Sequence, residues 1–171
     1  VSFTKRDPST VPPFITAISA IAAKGNKVIV FGYYFQKAIY SAWENDNIEL
    51  HSFSKTPYPN AVWNLLFKSI QFKLWSLKQF LRHKPDIIWW GTQDHPELRE
   101  LARLRKIKQI MQMHELENNR LVWCRRVSQV VVPELNRAHI TGHLAKLKTT
   151  PLVLPNIPWP QQQPKDLNQG D

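Results

Sequence analysis

His114 and Glu115 close the stretch Gln109–Met113 (QIMQM), which reads as a strand. A histidine at a strand end can bond a sugar hydroxyl or stabilise charge developing during group transfer, and a carboxylate beside it can take a proton. The plainer reading is a histidine that caps the next helix or bonds a backbone carbonyl. Glu115 and Glu117 can equally form a solvated turn. Asp94 and His95 end the strand DIIWW in the same way. Asp94 stands three residues before Glu97 and two before Pro96, a capping-box spacing that explains it without chemistry. Glu134 follows VVVP at a third strand end. The loop KRDPSTVPP offers two cations and a hydroxyl in Lys5, Arg6 and Ser9.

Other chemistries lack their residues. No G-x-G-x-x-G follows the first strand, and no G-x-x-x-x-G-K-[ST] occurs anywhere. With five glycines in 171 residues, the chain carries no phosphate cradle of either kind. There is no G-x-S-x-G elbow and no Cys/His cluster with zinc spacing, so no metal site is expected. These absences argue against a self-contained dehydrogenase, kinase or hydrolase. The single cysteine, Cys124, cannot form an internal disulfide and lacks a histidine signature. It reads as an inert small residue in a reducing, cytoplasmic compartment.

Strand-like and helix-like segments alternate along the chain. Val1–Phe3, Val28–Tyr34, Ile48–Phe53, Asp86–Trp90, Gln109–His114, Val127–Val132 and Pro151–Leu154 read as strands. Helices are expected over Phe14–Ala22, Ala61–His83, Glu97–Lys106 and Asn118–Arg126, with a last one before Pro151. The fold class is therefore α/β: a Rossmann-like, doubly wound, mainly parallel sheet with helices on both faces, in three αβα layers. Ligands in such sheets bind beyond the carboxyl ends of the strands. One domain is expected over residues 1–158. The Pro/Gln-rich segment 159–171 cannot build a core and reads as a linker or hinge tail.

The formal net charge of +10 favours acidic partners. Ala61–His83 lies within a stretch (51–85) that holds Lys55, Lys68, Lys73, Lys78, Arg82 and Lys84 but no Asp or Glu. Trp63, Leu66, Phe67, Ile70, Leu74, Leu77 and Leu81 recur there at helical spacing. That apolar stripe is expected to pack on the sheet. Lys68, Lys73, Lys78 and Arg82, with Trp75, would then meet an anionic membrane surface. Nucleic acid is disfavoured, because Glu97 and Glu100 interrupt the basic run Arg99–Lys108 and no nucleic-acid-binding motif is visible.

The ordered series of segments resembles the N-terminal domain of the family 4 GT-B glycosyltransferases. PPFITAISAIAAKGNKVIVFGYY is similar to their opening helix and second strand, and HKPDIIWWGT to their Pro-Asp strand. KQIMQMHEL is similar to their strand that ends in histidine. VSQVVVPELNRAHI and TTPLVLPNIP resemble the run that reaches the interdomain hinge. The resemblance spans nearly the whole chain, carried by order and spacing rather than by one motif.

The resemblance implies the acceptor-binding half of an enzyme that moves a sugar from a nucleotide-sugar donor (UDP- or GDP-sugar) to a hydroxyl of a saccharide or lipid-linked acceptor. The donor site would lie mostly on a C-terminal domain outside this chain, and no cofactor would bind here. His114 would be catalytic, facing the cleft. Glu134 would face it from its strand end, and Asn156 would mark the hinge. The family's Gly-Gly pair is missing from the first loop, where Lys5, Arg6 and Ser9 would instead meet an acidic acceptor; His95 and Glu115 complete the substrate-binding set. The chain alone would be inactive, and the whole enzyme would be peripheral to the inner membrane face. The rival reading is a non-catalytic α/β module that docks a membrane or acidic partner through its basic helix.

Overall fold

The computed structural model describes residues 1–5, 7–36, 39, 43, 47–57, 62–91, 95–113 and 118–155. Its seven strands are β1 (Ser2–Thr4), β2 (Val28–Gly32), β3 (Ile48–Ser52), β4 (Ile87–Trp90), β5 (Lys108–Gln112), β6 (Gln129–Val132) and β7 (Leu152–Val153). They form one sheet in the order β3-β2-β1-β4-β5-β6-β7. Every adjacent pair is parallel. The described α-helices are α1 (Pro12–Ala23), α2 (Val62–His83), α3 (Pro96–Leu104), α4 (Asn118–Cys124) and α5 (Leu135–Leu144). The α/β, Rossmann-like fold expected from the sequence is the fold observed.

Strand alternation sorts the core onto two faces. Val28 and Val30 of β2 join Phe14, Ile15 and Ile18 of α1. Ile29 and Phe31, between them, join Phe80 of α2 and Leu98 and Ala102 of α3. Trp90, in that second cluster, is in register with Met111, so Met111 shares its face. Met111 clusters in turn with Val130, Val132, Cys124 of α4 and Ala138 of α5. Thus α1 covers one face, and α2 to α5 cover the other.

Aromatic and amide side chains tie the central strands. Phe3 is fully buried and stacks on Phe31 of β2 (5.1 Å) and Trp90 of β4 (6.1 Å). Each such pair is worth about 0.5–1.5 kcal/mol beyond area burial. The Trp90 indole N–H donates to Gln109 Oε1 (2.8 Å), and Gln109 Nε2 donates to the Arg99 carbonyl (3.1 Å). On the opposite face the Trp89 indole donates to Gln112 Oε1 (3.0 Å). These bonds explain why glutamines occupy buried places in a central strand.

Two local expectations are corrected. The α3 N-cap is His95, one residue after Asp94, and its side chain makes no capping bond. Helix α3 ends at Leu104, because Lys106 adopts a left-handed φ of 57° that stops it. The larger correction concerns α2. Among its described side chains, Phe72, Ser76 and Phe80 are buried, whereas Leu66, Phe67, Ile70, Leu74 and Leu81 are exposed. Of the stripe expected to pack on the sheet, these five face away from it, Leu77 is half-buried against the core, and the Trp63 side chain lies outside the described residues.

Candidate functional site at the carboxyl edge

The strand order reverses between β1 and β4, because the chain leaves β1 toward β2 but leaves β4 toward β5. In such sheets the loops beyond these two carboxyl ends diverge, and the crevice between them is the usual ligand position. Among the described residues, its lips are Lys5 and Asp7–Val11 after β1, and Gly91 and His95 after β4.

The first lip is tightly tied. Gln36 N–H donates to Asp7 Oδ2 (2.8 Å), joining the loops after β1 and β2. Thr10 Oγ1 donates to the Asp7 carbonyl (2.7 Å), and Pro8–Thr10 forms a 3₁₀ turn. Helix α1 then opens with Pro12 and Pro13, which have no N–H. The next two amides, Phe14 and Ile15, both donate to the Val11 carbonyl (2.9 and 3.4 Å). The start of α1 therefore offers no amide donors to a phosphate, although a helix N-terminus is otherwise an anion site. The missing glycines of this loop are matched by a missing cradle.

The floor is equally tight. A Cβ placed on Gly91 would lie 2.1 Å from Phe14 Cδ2, so the Phe14 ring closes directly over the end of β4. At the end of β2, a Cβ on Gly32 would lie 2.3 Å from the Phe35 ring. Both glycines let an aromatic ring seal the sheet edge. Their signal in the sequence is slight, one glycine after each apolar run.

The described substrate-binding candidates divide by depth. Lys5 is half-buried just after β1. Glu134 is exposed at the end of β6, where Arg137 Nη2 pairs with it at 3.1 Å. His95 is only 2% exposed, with its ring 5.1 Å from Phe72 and 6.1 Å from Phe3. It sits beneath the crevice rather than on its surface. Arg6, His114, Glu115 and Asn156 lie outside the described residues, as do Asp94 and Glu117; Ser9 lies in the 3₁₀ turn. His114 directly follows Met113, which is buried at the carboxyl end of β5.

Cys124 is buried against Met113, and burial pushes its thiol up to about 11. It is no nucleophile at neutral pH. Among the described residues, no group of three or more His, Cys, Asp or Glu could hold a metal ion. An open hollow of about 260 Å³ between α5 and the loop before β7, lined by His139, His143 and Lys148, lies at the amino edge, away from the crevice.

The membrane-facing candidates also separate. Lys68, Lys78 and Arg82 are exposed on α2. Lys73 is exposed too, but donates to Glu97 Oε1 at 2.5 Å. Partial burial opposes ionisation of Glu97, yet that ammonium holds its pKa below the usual carboxylate value. Trp75 is turned inward and half-buried, with its ring 5.7 Å from both Phe31 and Phe53 and 5.8 Å from Phe72. The basic run of α3 is not a free patch. Arg99 is buried with its guanidinium 4.4 Å from the Trp123 ring centroid, and Arg103 pairs with Glu100 at 2.8 Å. Among the described residues, no helix is long and apolar enough to cross a membrane.

Among solved structures, MurG of Acinetobacter baumannii is similar to this chain, with a TM-score of 0.56 and 12% identity. The alignment covers 90% of this chain and 44% of that one. No family model and no curated protein matches the chain. The likeness shows the fold, a Rossmann-like domain of the GT-B type.

Proposed function

We propose that this chain is the acceptor-binding half of a glycosyltransferase. It transfers a sugar from a UDP- or GDP-sugar to a hydroxyl of a saccharide or lipid-linked acceptor. The observation that carries the reading is the likeness to MurG, which spans nearly all of this chain but less than half of that structure. The start of α1 supports it independently. With Pro12 and Pro13 in place of amide donors, the start of α1 offers no helix end to hold the donor diphosphate. The donor is then held by a second domain facing the crevice.

On this reading His114, next after Met113, acts on the transferred sugar from the carboxyl end of β5. Glu115 and Glu134 meet the acceptor from neighbouring strand ends. Lys5, Arg6 and Ser9 line the opposite lip and favour an acidic acceptor, such as a phosphate-bearing one. His95 acts through packing, holding Phe3 and Phe72 beneath the lip of β4. Asn156 marks the hinge, and residues 159–171 lead toward the donor domain.

Backbone amide exchange on the 171-residue chain tests the assignment. Free oligosaccharides and polyprenyl-phosphate-linked sugars should slow exchange around Lys5–Val11, Gly91–His95 and His114–Glu117. UDP- and GDP-sugars alone should leave these segments unchanged. Protection by the nucleotide-sugars alone, or protection confined to the hollow beside α5, would overturn it.

A further inference from the structure

We propose that the outward stripe of α2 lies in the headgroup region of an anionic lipid surface. Five large apolar side chains form it: Leu66 (56% exposed), Phe67 (62%), Ile70 (50%), Leu74 (63%) and Leu81 (42%). At 3.6 residues per turn they fall within an arc of about 100°. Phe72, Ser76 and Phe80, which are buried, lie outside that arc, and Leu77 within it is half-buried against the core. The helix therefore has two apolar faces and needs only one of them for its own fold.

Charge selects the occupant. At the same helical pitch Lys78 and Arg82 border one side of the arc and Lys73 the other, with Lys68 a step further round. No Asp or Glu occurs between positions 51 and 85. Lys73 is the one cation of this set that a described carboxylate neutralises, through Glu97. Among the described residues, no salt bridge engages Lys68, Lys78 or Arg82. An apolar stripe rimmed by unneutralised cations complements acidic lipid headgroups over acyl chains. It is a poor match to a second copy of itself, which would bring like charges together.

Placement adds a consequence. Strand β3 runs to the carboxyl edge, so α2 starts there and returns to the amino edge before β4. Glu97, which Lys73 grips, is in the first turn of α3, itself level with the carboxyl edge. The turns of α2 before Lys73, with Leu66, Phe67 and Ile70, therefore reach past the strand ends beside the crevice. Resting on the glycosyltransferase reading, this geometry selects a lipid-linked acceptor over a free saccharide, because the crevice is held at the lipid surface.

Co-sedimentation with vesicles tests the surface by itself. The 171-residue chain should bind phosphatidylcholine vesicles containing phosphatidylglycerol at least tenfold more tightly than pure phosphatidylcholine. Reversing charge in K78E/R82E should weaken that binding by about fivefold per cation at low salt. F67S/L74S should weaken it by about tenfold or more. These positions are exposed, so thermal unfolding of each variant should match the parent; should F67S/L74S fold poorly, the single L74Q gives the same reading. Equal binding to both vesicles, binding to neither, or full binding by the variants would overturn the proposal. So would a vesicle-free dimer that L74Q dissociates. None of these outcomes depends on sugar transfer, so failure here and failure of the glycosyltransferase reading are told apart.

Discussion

The Phe14 ring occupies the space that a side chain at residue 91 would fill: a Cβ on Gly91 would stand 2.1 Å from Phe14 Cδ2. This contact joins the first helix to the end of β4 and closes the crevice floor where the strand order reverses. Gly91→Ala should therefore lower stability by about 1–3 kcal/mol, the usual range for overpacking a filled site. Urea unfolding measures it. Gly91→Ala combined with Phe14→Leu should lose less than the two single changes summed, because the smaller side chain relieves the clash. Strict additivity would mean that the ring is not the obstacle.

Gln109 satisfies two buried groups at once, the Trp90 indole and the Arg99 carbonyl. Replacing it with leucine leaves the buried Trp90 indole N–H without this acceptor, at a cost of about 1–3 kcal/mol. The denaturation midpoint should fall without a change in slope. Adding Trp90→Phe should recover part of the loss, since the orphaned N–H goes with it. A double variant no more stable than Gln109→Leu would contradict this pairing.

Burial raises the Cys124 thiol to about 11, so almost no thiolate exists at pH 8. Iodoacetamide should leave the native chain unmodified over a period that fully labels it in urea. Mass spectrometry reads the outcome; rapid native labelling would show a reactive cysteine.

His83 is held below its ordinary pKa of 6.5 by burial first, then by the charges of His51 and Arg82. The unfolded chain then takes up the proton more readily than the folded one. Stability should be full above pH 6.5 and should fall as the pH drops toward the folded-state value. Thermal unfolding between pH 7.5 and 5.5 should show that decline, and His83→Gln should flatten it; an unchanged slope would assign it to other groups.

The strands could be read from the chain because a parallel sheet covered on both faces demands unbroken apolar runs, and VIVFG, IIWW and QVVV supply them. Helix ends were harder. Gly25 marks the end of α1 with a φ of 81°, but Lys84, Lys106 and Lys146 take left-handed φ values of 42°, 57° and 47° without a glycine to announce them. Helix α2 misled most, and for a physical reason. Periodicity reports that an apolar stripe exists, not what it touches, and here Phe72, Trp75, Ser76, Leu77 and Phe80 turn inward while most of the stripe does not. At the site, strand order fixes the carboxyl edge as the place to look. It does not fix depth: Glu134 reaches the surface, whereas His95 is drawn under the edge by Phe3 and Phe72. The tight Phe14–Gly91 contact left almost no trace in the sequence.

Sugar transfer tests the central claim most directly. Labelled UDP- and GDP-sugars would be incubated with lipid and saccharide acceptors and either the full-length gene product or the 171-residue chain alone. The account expects label in an acceptor with the full-length product and none with the chain alone, because each domain supplies half of the site. Turnover by the chain alone, or none by the full-length product with any donor, would contradict it.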